Sequence, residues 1–168
     1  RNRYFIDGTW RMTGSSQFGE NNRWGNFWSA GGGWNILNEN FMKGVKKSID
    51  LMKLRFSMGY TGKVNFSPYQ AMTMYKYLNT YEYKNGIGAI PLAIGNVDLA
   101  WERTMNYNIG FDFSMFNRRL NLVVDAYMRN TTDLLLDKAM APSTGVTTAV
   151  SNLGEMQNKG IEFQLDGY

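Results

Sequence analysis

The stretch LAWERTMNYNIGFDFSM, Leu99 to Met115, alternates apolar and polar residues almost without a break. Leu99, Trp101, Met105, Tyr107, Ile109, Phe111, Phe113 and Met115 take the odd positions, with Arg103 the one exception. After Ala100, the even positions hold Glu102, Thr104, Asn106, Asn108, Gly110, Asp112 and Ser114. Side chains on a strand point to opposite faces with period two, so the segment predicts a strand with one apolar and one wet face. At roughly 3.3 Å per residue it would run about 55 Å, longer than strands of soluble domains usually run. That length fits the wall of a membrane barrel.

The same alternation recurs on both sides of this stretch. Tyr4, Ile6, Gly8, Trp10 and Met12 share one parity in a strand over 3–12, and Trp28, Ala30, Trp34 and Ile36 share one over 24–37. Gly31, Gly32 and Gly33 inside the second predict a bend or a close backbone approach. Met52, Leu54, Phe56, Met58 and Tyr60 oppose Lys53, Arg55, Ser57, Gly59 and Thr61. Beyond a tight turn at 116–119, Leu120, Leu122, Val124, Ala126 and Met128 oppose Asn121, Asp125 and Arg129. Ile161, Phe163 and Leu165 close the series. The segments 13–23, 62–98 and 132–156 read as loops at one end of the strands. The tight turn and the 38–50 connection lie at the other. Transmembrane barrels have short periplasmic turns and longer extracellular loops, which makes the first set extracellular. Trp10, Trp28, Tyr60 and Trp101 then fall at the extracellular ends of their strands with apolar parity, as a lipid-interface aromatic girdle would.

Composition narrows the function classes. The chain of 168 residues is 15% aromatic and has no cysteine and no histidine. It therefore lacks disulfides, thiolate metal sites and the commonest general base. No run of about 18 apolar residues marks a membrane helix. The net charge of +4 is scattered over polar strand positions, unlike the clustered basic face of a nucleic-acid binder. Both ends, Arg1 without a methionine and Tyr168 within an alternating run, read as cuts through something larger.

Sequence words raise a specific resemblance. Gly14-Ser15-Ser16-Gln17-Phe18-Gly19, Asn21-Asn22-Arg23-Trp24-Gly25-Asn26-Phe27 and the strand closing at Trp34 come first. Then follow 51–62 (LMKLRFSMGYTG), 96–102 (NVDLAWE), 107–112 (YNIGFD), 131–135 (TTDLL) and 152–160 (NLGEMQNKG). In this order the set resembles the SusC/RagA-like TonB-linked outer-membrane transporters over nearly the whole chain. Val97 and Trp28 stand where that family often has proline, and Thr13 where it often has aspartate.

The resemblance implies an all-β fold: an antiparallel transmembrane β-barrel segment of about six strands, from the C-terminal half of a 22-stranded plugged barrel. Residues 1–168 would be a partial barrel domain, with the plug and the TonB-contacting segment elsewhere. It implies TonB-dependent import of oligosaccharides or peptides across the outer membrane of a Gram-negative bacterium, with a SusD-like surface lipoprotein as lid. The partners implied are that lipoprotein, TonB, outer-membrane lipid and the cargo, without nucleic acid. Two alternatives stay open: a soluble all-β glycan-binding module, and a TonB-dependent siderophore or cobalamin receptor.

Candidate contact residues for cargo or lid are Tyr69, Tyr75, Tyr77, Tyr81 and Tyr83 in the 62–98 loop. Flat aromatic faces stack on sugar rings and pack peptides while the hydroxyl hydrogen-bonds, although the same tyrosines could simply pack their loop. Arg3, Arg11, Lys53, Arg55, Glu102, Asp112, Asp125 and Arg129, on the wet parity, are expected mainly to pair with one another. No catalytic, cofactor or metal site is expected. Glu155 and Glu162 differ in parity, Gly31–Gly33 lacks the lysine and hydroxyl residue of a phosphate loop, and no aspartates have calcium-loop spacing.

Overall fold

The computed structural model describes residues 3–18, 20–46, 48–65, 69, 71–83 and 86–168, with the backbone alone at 20 and 79–83. Its body is a six-stranded antiparallel sheet in the order β1-β2-β3-β6-β7-β10. The strands are β1 (Tyr4–Gly14), β2 (Trp24–Asn35), β3 (Ile49–Lys63), β6 (Glu102–Met115), β7 (Leu120–Thr132) and β10 (Met156–Gly167). These are the six strands that the alternation predicts. Two hairpins that it does not predict rise from one end. β4 (Met74–Tyr83) pairs with β5 (Gly86–Ala93), and β8 (Leu135–Ala139) with β9 (Thr148–Asn152). The 62–98 and 132–156 segments are therefore not plain loops.

The register lines up the apolar parity across all six wall strands. Ile6, Gly32, Phe56, Ile109, Ala126 and Ile161 stand opposite one another in one row. Their face is uncovered: Ile6 is 89% exposed, and Phe163, Leu165, Ile161 and Trp10 are also open. A soluble sheet hides its apolar face against a second layer, and among the described residues none lies here. Strands of 11 to 15 residues meet or exceed the roughly 9–11 needed to cross a bilayer. Among the described residues no helix is long and apolar enough to cross a membrane, which says nothing about strands.

The opposite face carries the polar parity, and glycines there seat large neighbours. Its central row is Phe5, Gly33, Arg55, Gly110, Asp125 and Glu162. A Cβ on Gly33 would sit 1.9 Å from the Phe5 ring, and one on Gly31 would sit 2.6 Å from the Asp7 carboxylate. The glycines of β2 thus mark a close approach, by side chains lying across from β1. Lys53 Nζ caps the other side of this group, 4.3 Å from the centre of the Phe5 ring.

At the end away from the hairpins, the β6–β7 turn is tight. Phe116, Asn117 and Arg118 are all left-handed, with φ of 58°, 57° and 61°, and Arg119 N donates to Phe116 O at 3.3 Å. Arg118 N donates to Asp50 Oδ2 at 2.9 Å and Phe116 N to Ser48 O at 3.1 Å, tying this turn to the start of β3 and to the end of the β2–β3 connection. In that connection Glu39 accepts from the Tyr4 hydroxyl at 2.7 Å and from Trp34 Nε1 at 3.2 Å.

Candidate functional site

The buried apolar residues gather at the hairpin end. Phe18, Phe27, Ala71, Leu99 and Trp101 form a small core beneath the hairpins, with Tyr60, Val64, Leu135 and Val150 packed against it. Trp101 lies 4.8 Å from Phe18 and meets Phe27 edge-on at 5.4 Å between ring centres. Its indole N–H is satisfied by Asn22 O at 3.0 Å, which lets a large aromatic bury at little polar cost.

This placement corrects the girdle expectation at Trp101, which is 8% exposed and inside the core. Asn96 is the cause: its side chain accepts from Asp98 N at 3.0 Å, and its carbonyl accepts from Leu99 N at 3.4 Å. Such an Asx turn gives the backbone a local alternative to the ladder. β6 therefore starts at Glu102, and Leu99 and Trp101 leave the apolar row that their parity assigns them. Trp10, Trp28 and Tyr60 do stand opposite one another in one row across β1, β2 and β3.

Asparagine amides join the loop bases. Asn152 Oδ1 accepts from Ala100 N at 2.9 Å, while its Nδ2 donates to Ala100 O and Asp133 O, each at 2.9 Å. Asn96 Nδ2 reaches Val150 O at 3.2 Å, and Asn22 Nδ2 reaches Asp98 O at 3.2 Å. Arg103, the residue that breaks the alternation, pairs with Asp133 through Nε at 2.6 Å. Phe18 and Asn22 and the 94–101 and 133–152 segments are thereby held as one collar. Sequence reasoning missed it, although Asn22, Asn96, Asp98 and Asn152 all stand in the words that carry the resemblance.

Above the collar, β5 and β9 border a groove lined by Leu92, Ile94, Asp137, Val146 and Val150. Tyr75 and Tyr77 share one parity on β4 and are 62% and 68% exposed, and Tyr69 is 64% exposed. Tyr81 and Tyr83 lie on the β4 backbone, and their side chains fall outside the described ones. The hairpin end thus presents both a groove and uncovered aromatic faces, an arrangement suited to binding.

Down the polar face, Arg55 bridges two strands. Its Nε and Nη2 donate to Asp112 at 2.9 and 2.8 Å, and Nη2 also reaches Asp125 at 3.2 Å. Gly110 lies between them in register, and a Cβ there would fall 2.5 Å from Asp125 Oδ1 and 2.7 Å from Arg55 Cζ. Three of the wet-parity charges therefore pair as expected, whereas Arg129 donates to Asn106 Oδ1 at 3.0 Å and Arg3 pairs with Glu39 instead. Among the described residues no group of three or more His, Cys, Asp or Glu is placed to hold a metal.

Comparison with known proteins accounts for this architecture. The family model described as TonB dependent receptor-like, beta-barrel matches residues 1–168. TonB-dependent receptor P39 of Formosa agariphila is 39% identical over 98% of this chain, and TonB-dependent receptor SusC of Bacteroides thetaiotaomicron is 37% identical over 98%. The chain spans only 16–17% of the length of these relatives. Among solved structures, the RagAB peptide importer in a closed-closed state superposes with a TM-score of 0.87 at 32% identity, over 98% of this chain and 18% of that one. The siderophore receptor PirA of Pseudomonas aeruginosa superposes at 0.64 with 16% identity, a likeness of fold alone. An uncovered apolar face, a paired polar face and loop bases gathered at one end are thus the parts of one barrel wall, and the chain belongs to the TonB-dependent receptor family as a segment of its β-barrel domain.

Proposed function

We propose that the receptor containing this wall imports oligosaccharides or peptides across the bacterial outer membrane, driven through TonB, with a SusD-like lipoprotein closing over the hairpin end. The observation that carries the reading is the collar with its two hairpins, which presents Tyr69, Tyr75 and Tyr77 beyond the wall at one end only. The relative named SusC and the likeness to a peptide importer support this choice over a siderophore or cobalamin receptor. The uncovered apolar face supports a membrane wall over a soluble glycan-binding module.

In this reading residues 1–168 are one part of the barrel, the plug and TonB-contacting parts lie elsewhere, and the hairpins face outward. The row of Trp10, Trp28 and Tyr60 marks the outer lipid interface. Tyr75 and Tyr77 contact cargo or lid, as do Tyr69, Tyr81 and Tyr83. Each aromatic contact is worth about 1 kcal/mol. A Tyr75→Ala/Tyr77→Ala receptor should therefore lose roughly tenfold or more in cargo affinity or lid retention while still inserting in the membrane. Uptake of labelled oligosaccharide or peptide, with co-purification of the lipoprotein, measures both. Unchanged uptake and unchanged lipoprotein recovery would remove the tyrosines from the site.

A further inference from the structure

The outward face changes character from one side of the wall to the other. On β1, β2 and β3 the aromatic row toward the hairpin end is Trp10, Trp28 and Tyr60, but it continues across β6, β7 and β10 as Met105, Asn130 and Gln157. Gln157 Nε2 donates to Asn130 Oδ1 at 2.9 Å, so this amide pair is formed on the apolar-parity face. One row further in, the same face carries Lys159, opposite Met128 and Tyr107. A lysine facing lipid is costly at the bilayer midplane and tolerable near the interface, where its chain can reach toward polar headgroups. Lys159 is exposed and makes no ion pair or hydrogen bond among the described residues.

Beside it lies an apolar trough. Ala126 is a small residue between Ile109 and Ile161 in its row, and the depression it leaves is bordered by Phe56, Met128 and Lys159. The trough is almost wholly carbon-lined, and Lys159 is part of its border. We propose that it is a binding site for a phosphate-bearing outer-leaflet lipid, with one acyl chain lying over Ala126 and the phosphate on Lys159. The Asn130–Gln157 amides lie one row closer to the surface, where a sugar or glycerol headgroup would meet them. Charge complementarity selects an anionic lipid, and the carbon lining selects a chain rather than a free anion. The placement of this lipid in the outer leaflet rests on the orientation proposed above.

The test uses the full-length receptor in detergent, titrated with lipid A carrying both phosphates and with the dephosphorylated form, bound lipid being counted by native mass spectrometry. Losing one lysine near an anionic surface should weaken binding of the phosphorylated form about fivefold in Lys159→Gln. Lys159→Arg should restore it. Removing the phosphates should weaken the wild type to the same degree and leave Lys159→Gln unchanged, while Ala126→Phe should reduce both forms by filling the trough. Equal binding by wild type and Lys159→Gln, or equal retention of both lipids, would overturn the proposal, as would a larger complex containing a second protein at this face in place of lipid. A cysteine placed at the exposed Asp137 separates this failure from that of the orientation: labelling of whole cells with a membrane-impermeant reagent keeps the hairpins outside, and absence of labelling overturns both.

Discussion

Replacing Asn152 by alanine should loosen the collar without harming the wall. The side chain makes three hydrogen bonds, each at 2.9 Å and partly buried, two to the backbone of Ala100 and one to Asp133 O. A net worth of about 1 kcal/mol for each puts the loss near 3 kcal/mol. That corresponds to roughly a hundredfold rise in the local opening equilibrium. Hydrogen exchange on the full-length receptor reads this directly. The amide of Ala100 loses its acceptor, and the amides of Leu134 and Leu153, which bond Gly154 O and Leu134 O, report opening of the hairpin base.

Peptides from β3, β6 and β7 serve as the internal control, because their ladders run independently of the collar. Asn152→Asp sharpens the test. Aspartate keeps an acceptor for Ala100 N but sets a carboxylate oxygen against two carbonyl oxygens, Ala100 O and Asp133 O. It should open the collar at least as much as alanine does. Protection in Asn152→Asp equal to the wild type would refute the clamp at Asn152 and leave the collar to the Phe18, Phe27 and Trp101 rings and its other hydrogen bonds.

Other positions give independent checks. Gly110→Val should drive Arg55 from its place between Asp112 and Asp125 and cost about 2 kcal/mol in urea unfolding of the membrane-inserted receptor; Gly59→Val, whose Cβ would meet Ser29 Cβ at 3.4 Å, should cost less than half of that. The hydrogen bond from Tyr4 above all, then that from Trp34 and the charge of Arg3, holds the Glu39 carboxyl below its ordinary range. A depressed carboxylate supports its contacts fully above its unfolded pKa and loses that support as pH falls through the folded one. The Trp34 indole proton resonance should therefore hold steady from neutral pH to about pH 5 and move only below the ordinary carboxylate range, and Glu39→Gln should abolish that low-pH step. Arg118→Gly should stabilise the β6–β7 turn by about 0.5–1 kcal/mol, relief of left-handed strain outweighing the added freedom of the unfolded chain, whereas Arg118→Ala should give no gain in the same unfolding assay.

The wall was legible in the sequence because its two environments alternate with the pleat. Where one face meets lipid and the other meets water, most residues report their side, and β3 does so almost without exception. The same rule overran at Leu99 and Trp101, whose parity is right for a strand that an Asx turn has not yet begun. β4 and β5 escaped notice because Gly86, Gly88 and Pro91 read as turn residues and no face of that hairpin is consistently apolar. β8 and β9, five residues each, are too short for a period to show. The triple glycine of β2 signalled a close approach. That Phe5 and Asp7 make the approach depends on the register with β1, which no single segment encodes.

The words that carry the family resemblance also divide architecture from cargo. Phe18, Asn22, Phe27, Asn96, Leu99, Trp101, Asp133 and Asn152 all lie within them, and all are spent on the collar: rings packed at its centre, amides and carboxylates joining its rim. Residues committed to holding loop bases together respond to the loops they join and not to what passes between them. Tyr69, Tyr75 and Tyr77 stand outside those words and outside the collar, on segments whose side chains remain uncovered. A resemblance built from collar residues therefore fixes the frame that positions the hairpins. The chemistry of the cargo has to be read from the hairpins themselves, where the sequence follows no period and each exposed aromatic must be tested on its own.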